Sequence, residues 1–106
     1  MPVSAAAFRQ IALNFQGAEE RAHQGHPDFR VNGKIFATLG YPDETWGMVK
    51  LSPDEQRAYM KIEPNAFTPA SGTWGASGCT LVKLAKVKKA ALADALESAW
   101  SRLRNG

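Results

Sequence analysis

Apolar residues near the start of the chain recur at Ala7, Phe8, Ile11, Ala12 and Phe15. That spacing puts them on one face of a helix. Ser4 stands at a capping position, and Gly17 suits a helix end. A helix is therefore predicted from Ser4 to about Asn14. Over residues 19–51 the period changes to two. Residues 19–24 form a weak polar strand, broken by Gly25-His26-Pro27. Strands over 28–31 and 34–39 flank Asn32-Gly33, a strong two-residue hairpin signal. A turn through Gly40-Tyr41-Pro42-Asp43-Glu44 leads to a strand over 45–51. Connections this short join antiparallel neighbours. Ser52-Pro53-Asp54-Glu55 combines a cap, Pro at the first helical position and a capping-box Glu. It opens a helix to about Ile62 that Pro64 stops. Residues 64–78, with Pro64, Pro69, Gly72, Gly75 and Gly78, read as a long ordered loop. A last strand over 79–84 precedes the longest helix, 88–104, with Leu92, Leu96, Ala99, Trp100 and Leu103 as its apolar stripe. The whole predicts one α+β domain over 1–106. It is an antiparallel β-sheet meander with helices packed on one face, in the order α-β-β-β-β-α-β-α, the first and last helices together.

Alternation along the strands sorts their side chains. Phe29, Val31, Ile35, Ala37, Leu39, Gly47, Val49, Leu51, Val82 and Leu84 share the face expected beneath the helices. The other face carries Arg30, Lys34, Phe36, Thr38, Trp46, Met48, Lys50, Leu81 and Lys83, with Arg21 and His23 extending it. Trp100 falls on the core side and Trp46 on the open side. Cations interleaved with large apolar groups suit nucleic acid, with charge for phosphates and flat surfaces for bases or sugars. They equally suit a protein partner, with Arg, Trp, Phe and Met as anchors. A third reading is a sheet half-covered by the 64–78 loop, with lysine stems lying over apolar neighbours.

Composition adds little that is specific. The chain has 106 residues, 44% apolar and 22% charged, ordinary globular usage that excludes collagen, a disulfide scaffold and a disordered tail. Thirteen basic residues against ten acidic give a net charge of +3. The excess lies wholly in residues 52–106. It permits polyanion binding and is equally an ordinary basic surface. A single cysteine, Cys79, has no partner for an internal disulfide. Met1-Pro2-Val3-Ser4 has neither a basic nor an apolar export region, and no stretch approaches the ~18 apolar residues of a spanning helix. A soluble, cytoplasmic protein is expected.

No reaction declares itself. His23 and His26 flank a Gly-Pro break, and no further ligands complete a zinc set. Turn and strand surface is expected there, with no metal and no cofactor. The run Gly72-Thr-Trp-Gly-Ala-Ser-Gly-Cys-Thr80 lacks the phosphate-loop lysine and precedes a strand where a phosphate loop precedes a helix. It reads as a turn placing Trp74 on the core or its rim. Cys79 has no histidine nearby in sequence and reads as packing. Lys86, Lys88 and Lys89 open the last helix against its dipole, without a capping residue. Either the helix tolerates them or they mark a contact surface.

Taken together, the segments Gly25–Leu39, Met48–Gln56, Gly72-Thr-Trp-Gly75, Gly78 with Thr80, and Ala99-Trp100 resemble the MmcQ/YjbR-like family of small bacterial proteins. The resemblance runs from about Phe8 to Trp100. It implies a fold like that of CyaY and the type III secretion chaperones. It also brings a DNA-binding label that rests on a proposed double-wing arrangement, and no catalytic residues. Cys79 departs from the family pattern, where an aromatic follows Gly78. Lys88 departs where Asp or Pro opens the last helix. The expectation is a non-catalytic binding protein, not an enzyme. Its ligand would be DNA, held weakly and without sequence preference through Arg30, Lys34, Lys50 and Lys83, with Trp46 and Trp74 at the edge. The alternative is a protein-interaction module or homodimer using the open sheet face.

Overall fold

Ser4 adopts extended backbone and its hydroxyl accepts the Ala7 N–H at 3.0 Å. This pairs one of the donors a helix start leaves open, and α1 follows over Ala5–Leu13. The structure, a computed structural model, describes residues 3–104. Met1 and Pro2 of the amino-terminal stretch considered above lie outside the described residues. The strands β1 (Glu19–His23), β2 (His26–Val31) and β3 (Lys34–Leu39) are joined by two matching hairpins. Gln24 and Gly25 turn with φ of 51° and 79°, and Asn32 and Gly33 with 54° and 76°. Two successive positive φ angles make the type I′ turn whose twist matches paired strands. The predicted break at 25–27 is thus a hairpin, and β2 begins earlier than expected. Pro27 sits opposite Ala22, one residue beyond the β2–β3 pairing that starts at Asp28. Its missing N–H leaves no gap in that ladder.

The strand β4 (Trp46–Lys50) continues the meander, and α2 (Pro53–Ile62) starts with the predicted capping box between Ser52 and Glu55. The loop expected at 64–78 instead holds a strand, β5 (Phe67–Pro69), and a short helix, α3 (Gly72–Ala76). Glycine makes this compaction possible. A Cβ at Gly75 would lie 1.8 Å from the Ala70 oxygen, and one at Gly78 1.9 Å from the Leu51 oxygen. Only glycine allows backbones so close. β6 (Cys79–Lys83) and α4 (Lys89–Arg104) complete the chain. The six strands form one antiparallel sheet in the order β1-β2-β3-β4-β6-β5.

Helices α1 and α4 cover one face of the sheet, with α2 beside α4 and β5. Between helices and sheet lie Phe8, Phe29, Val49, Val82, Leu92 and Leu96, all fully buried. Along α4 the buried positions are Leu92, Ala95, Leu96 and Ala99. Trp100 is half-buried at their rim, its ring stacked on Phe15 at 5.2 Å and its N–H donated to the Gln16 carbonyl at 2.8 Å. The lysine-rich start of α4 does have a cap. Glu63, at the end of α2, accepts the Lys88 N–H at 3.1 Å and brings negative charge to that dipole end.

Two face assignments are reversed. Phe29 pairs with Ala37 but Arg30 pairs with Ile35, so Phe36 is an extra residue in β3. This β-bulge turns Phe36 to the helix side, where it is fully buried with its ring edge-on to Phe15 at 6.4 Å. Ile35, expected under the helices, joins Thr38 and Met48 on the open face. Alternation has a period of two only while each strand advances one residue per partner residue. Among the described residues, no helix is long and apolar enough to cross a membrane.

Candidate functional site

Cross-strand partners lie on the same face of a sheet, so the register builds the open face in rows. Asp28 stands beside Thr38, Thr38 beside Met48, and Met48 beside Leu81. A second row places Lys50 beside Cys79, and a third Trp46 beside Lys83. Two hollows adjoin here, the first on this surface and the second at its end, where the strands meet the last turn of α4. The first, about 350 Å³, has Ile35, Met48 and Leu81 among its apolar lining residues, together with Trp74, Tyr41 and His26. The second, about 480 Å³, is lined by Arg30, Lys34, Lys50 and Arg102, with Trp74 again at its edge. Ile35, Lys50, Trp74 and Cys79 belong to both.

Helix α3 carries Trp74, which is 64% exposed. Its ring lies 5.8 Å from Lys50 Nζ. Beneath it, the buried amide of Gln56 donates to the carbonyls of Gly75 and Cys79 and approaches Thr80 Oγ1, each at 3.1 Å. That amide ties α2 to both ends of the segment bearing Trp74. Arg30 is held by Asp28, donating from Nε at 2.8 Å and from a terminal nitrogen at 3.1 Å. His23 Nδ1 lies 2.8 Å from Asp28 Oδ2, the oxygen that also accepts from the Arg30 terminal nitrogen. The Arg30 hydrogen bonds, followed by that of His23, hold the buried Asp28 carboxyl below its ordinary range, against the opposing effect of burial. Arg30 is thereby oriented, and much of its charge is balanced. Arg102, from the last turn of α4, donates to the Lys50 carbonyl and lies 3.9 Å from Glu55.

Of the six residues singled out from sequence, four come together: Arg30, Lys34, Lys50 and Trp74. Lys83 and Trp46 form a separate pair, the ammonium 5.4 Å from the indole centre. They line neither hollow. Trp74 is neither core nor buried rim but an exposed wall. Sequence reasoning missed Tyr41, which read as turn, and Arg102, which counted only toward the basic excess of residues 52–106. Neither carries a local signal of its place. His23 and His26 are direct cross-strand partners, though among the described residues no group of three potential metal ligands forms. Cys79 is buried, and that burial pushes its thiol up. It lines the same hollow as His23 but stands four strand spacings, about 19 Å, from β1. That is no thiol–imidazole pair.

The pattern that defines a family described as YjbR matches residues 13–102. Among solved structures, the chain is similar to the crystal structure of Deinococcus radiodurans protein DR2400, described as a DUF419 domain. The identity is 13%, the TM-score 0.77, and the match covers 92% of this chain and 76% of that one. A likeness at that identity speaks for the fold. No curated protein matches the chain.

Proposed function

The chain belongs to the YjbR family, and from that premise we propose that it is a non-catalytic protein that binds nucleic acid on the open face of its sheet. The observation that carries this is the adjacency of an apolar, aromatic-walled hollow and a cationic one, with Lys50 and Trp74 common to both. Phosphates need the second kind of surface, and sugars or bases need the first. Among the described residues lining either hollow there is no Asp or Glu. Partial neutralisation of Arg30 and Arg102 keeps the binding weak, and α4 meets the hollows only through Arg102 and Leu103 of its last turn, an end and not a helix face laid along base edges, so little sequence preference is expected. A raised Cys79 thiol is a poor nucleophile, so Cys79 serves here as packing at the edge of the two hollows.

Fluorescence anisotropy with random-sequence DNA at ~50 mM salt, where phosphate contacts are favoured, tests the proposal. Binding should weaken steeply with added salt. Lys34→Ala with Lys50→Ala should weaken it further and flatten the salt slope, with the fold intact. No binding at high micromolar protein removes the proposal. A second reading has its own support. Trp74 and Tyr41, 64% and 51% exposed, are the kind of anchor that fills a partner's pocket. If sedimentation shows a dimer that Trp74→Ala dissociates while DNA does not bind, the same face is a protein interface.

A further inference from the structure

We infer that the hollow lined by Trp74 and Tyr41 receives an unpaired base, so that the nucleic acid held on this face is single-stranded. The inference rests on the reading above and adds to it the form of the ligand. In a duplex the bases are stacked and paired, and an apolar hollow set into a sheet has nothing to receive. A single strand can turn a base out of line and stack it on an aromatic side chain. The hollow has the size for this. At about 350 Å³ it stands at the small end of ligand sites, which span roughly 300–1,000 Å³, suited to one ring system. Its apolar surface is Ile35, Met48 and Leu81, with indole and phenol rings also on its lining. Trp74 is exposed yet anchored, since Gly75 packs on Ala70 and Gln56 clamps the segment from below. A fixed, exposed aromatic is what base stacking uses.

The charges match the covalent structure of a nucleotide. A base is joined through its sugar to a phosphate, so a base site needs a cation close to its edge. Lys50 lines both hollows, and Lys34 and Arg102 lie in the second. Three such contacts on a single strand give a log–log salt slope of about −2. The uncharged polar side chains on its lining include His23, Gln24, His26, Thr38 and Ser71, each able both to donate and to accept a hydrogen bond, so one base is held much like another.

The test compares four ligands by anisotropy on the intact chain. They are a labelled oligothymidylate of roughly eight nucleotides, within the usual site size of a stacking groove, an abasic strand of the same length, a duplex, and thymidine monophosphate as competitor. The oligothymidylate should bind at least several-fold tighter than the abasic strand or the duplex. Trp74→Ala and Tyr41→Ala should each weaken it about tenfold, the size of a lost base–aromatic stack, and leave duplex binding unchanged. Both side chains are exposed, so unchanged urea midpoints confirm that the variants fold. If duplex and abasic strand bind as well as the oligothymidylate, or the two variants bind it normally, the base site is refuted while phosphate binding on this face stands. Thymidine monophosphate binding as tightly as the oligomer refutes the single strand in favour of a free nucleotide. If nothing binds, both this inference and the reading beneath it fail.

Discussion

Gln56→Leu tests whether one buried amide holds the Trp74 segment in place. The side chain lies on α2 and is 8% exposed. Its two N–H groups serve three acceptors, the Gly75 and Cys79 carbonyls and Thr80 Oγ1. A hydrogen bond of this kind contributes about 0.5–1.5 kcal/mol net, and an acceptor left wholly unpaired in the interior costs about 1–3 kcal/mol. The surroundings decide between these figures. The Cys79 carbonyl also accepts the Ala70 N–H at 2.9 Å, and the Gly75 carbonyl the Gly78 N–H at 3.1 Å. Thr80 donates its own hydroxyl to the Gly78 carbonyl at 2.8 Å. Leucine therefore orphans no acceptor, and the loss should stay near 1–2 kcal/mol. Gln56→Ala should cost about 1 kcal/mol more through the void it leaves. Urea unfolding followed by circular dichroism, with the slope unchanged, measures both. A leucine variant as stable as the parent would show that the amide clamps nothing. A loss above about 4 kcal/mol would show that the remaining bonds do not compensate as argued.

Trp100→Ala should cost about 3 kcal/mol, since the ring packs on Phe15 and its N–H is bonded, whereas Trp46→Ala, on the open face under Lys83, should cost clearly less. Equal losses in urea melts would mean that the faces are misassigned. Asp28, with its pKa lowered in the folded state, contributes stability that is present above the unfolded carboxylate value of about 3.9 and is lost as pH falls below it. Asp28→Asn should therefore be less stable than the parent at pH 7, with the gap narrowing below about pH 4, and a gap constant with pH would refute the assignment. The Cys79 thiol, buried and raised, should react with a disulfide reagent many times more slowly in the native protein than in denaturant, and equal rates would contradict its placement.

What was legible from sequence was local. The Ser4 and Ser52 caps, the Asn32-Gly33 turn and the bounds of α2 each rest on residues within four positions of one another, and each is found as predicted. What was missed depends on chain segments that meet only after folding. The glycines at 75 and 78 signal a close approach, but only the folded chain shows that the approach is to Ala70 and Leu51, and so that 64–78 is structured. The cap of α4 comes from Glu63, 25 residues away, which no capping pattern describes. The candidate site is legible in the same proportion. Arg30 and Lys50 were placed by alternation, while Lys34, paired with Val31 beyond the bulge, reaches the second hollow from a hairpin end, and Trp74, Tyr41 and Arg102 come from a short helix, a turn and a helix end.

The bulge at Phe36 decides the character of that face. Residues 34–39 contain Ile35, Phe36 and Ala37 in a row, so strict alternation must leave either Ile35 and Ala37 or Phe36 toward solvent. An extra residue in β3 avoids the choice, because it lets Phe36 and Ala37 both point at the helices. Full burial of a phenylalanine side chain is worth roughly 1.5–3 kcal/mol, and edge-on packing against Phe15 adds to it. Against that stands a local disruption of the ladder, which a bulge confines to one position. The balance favours the bulge, and its consequence lies on the other face. The smaller Ile35, not a phenyl ring, lines the hollow beside Met48 and Leu81. The aromatic surface there is thus left to Trp74 and Tyr41, and the space between can admit a ring from outside. A change that restores strict pairing in β3 would therefore close the hollow and expose Phe36 together, linking the stability of the core to the shape of the proposed base site.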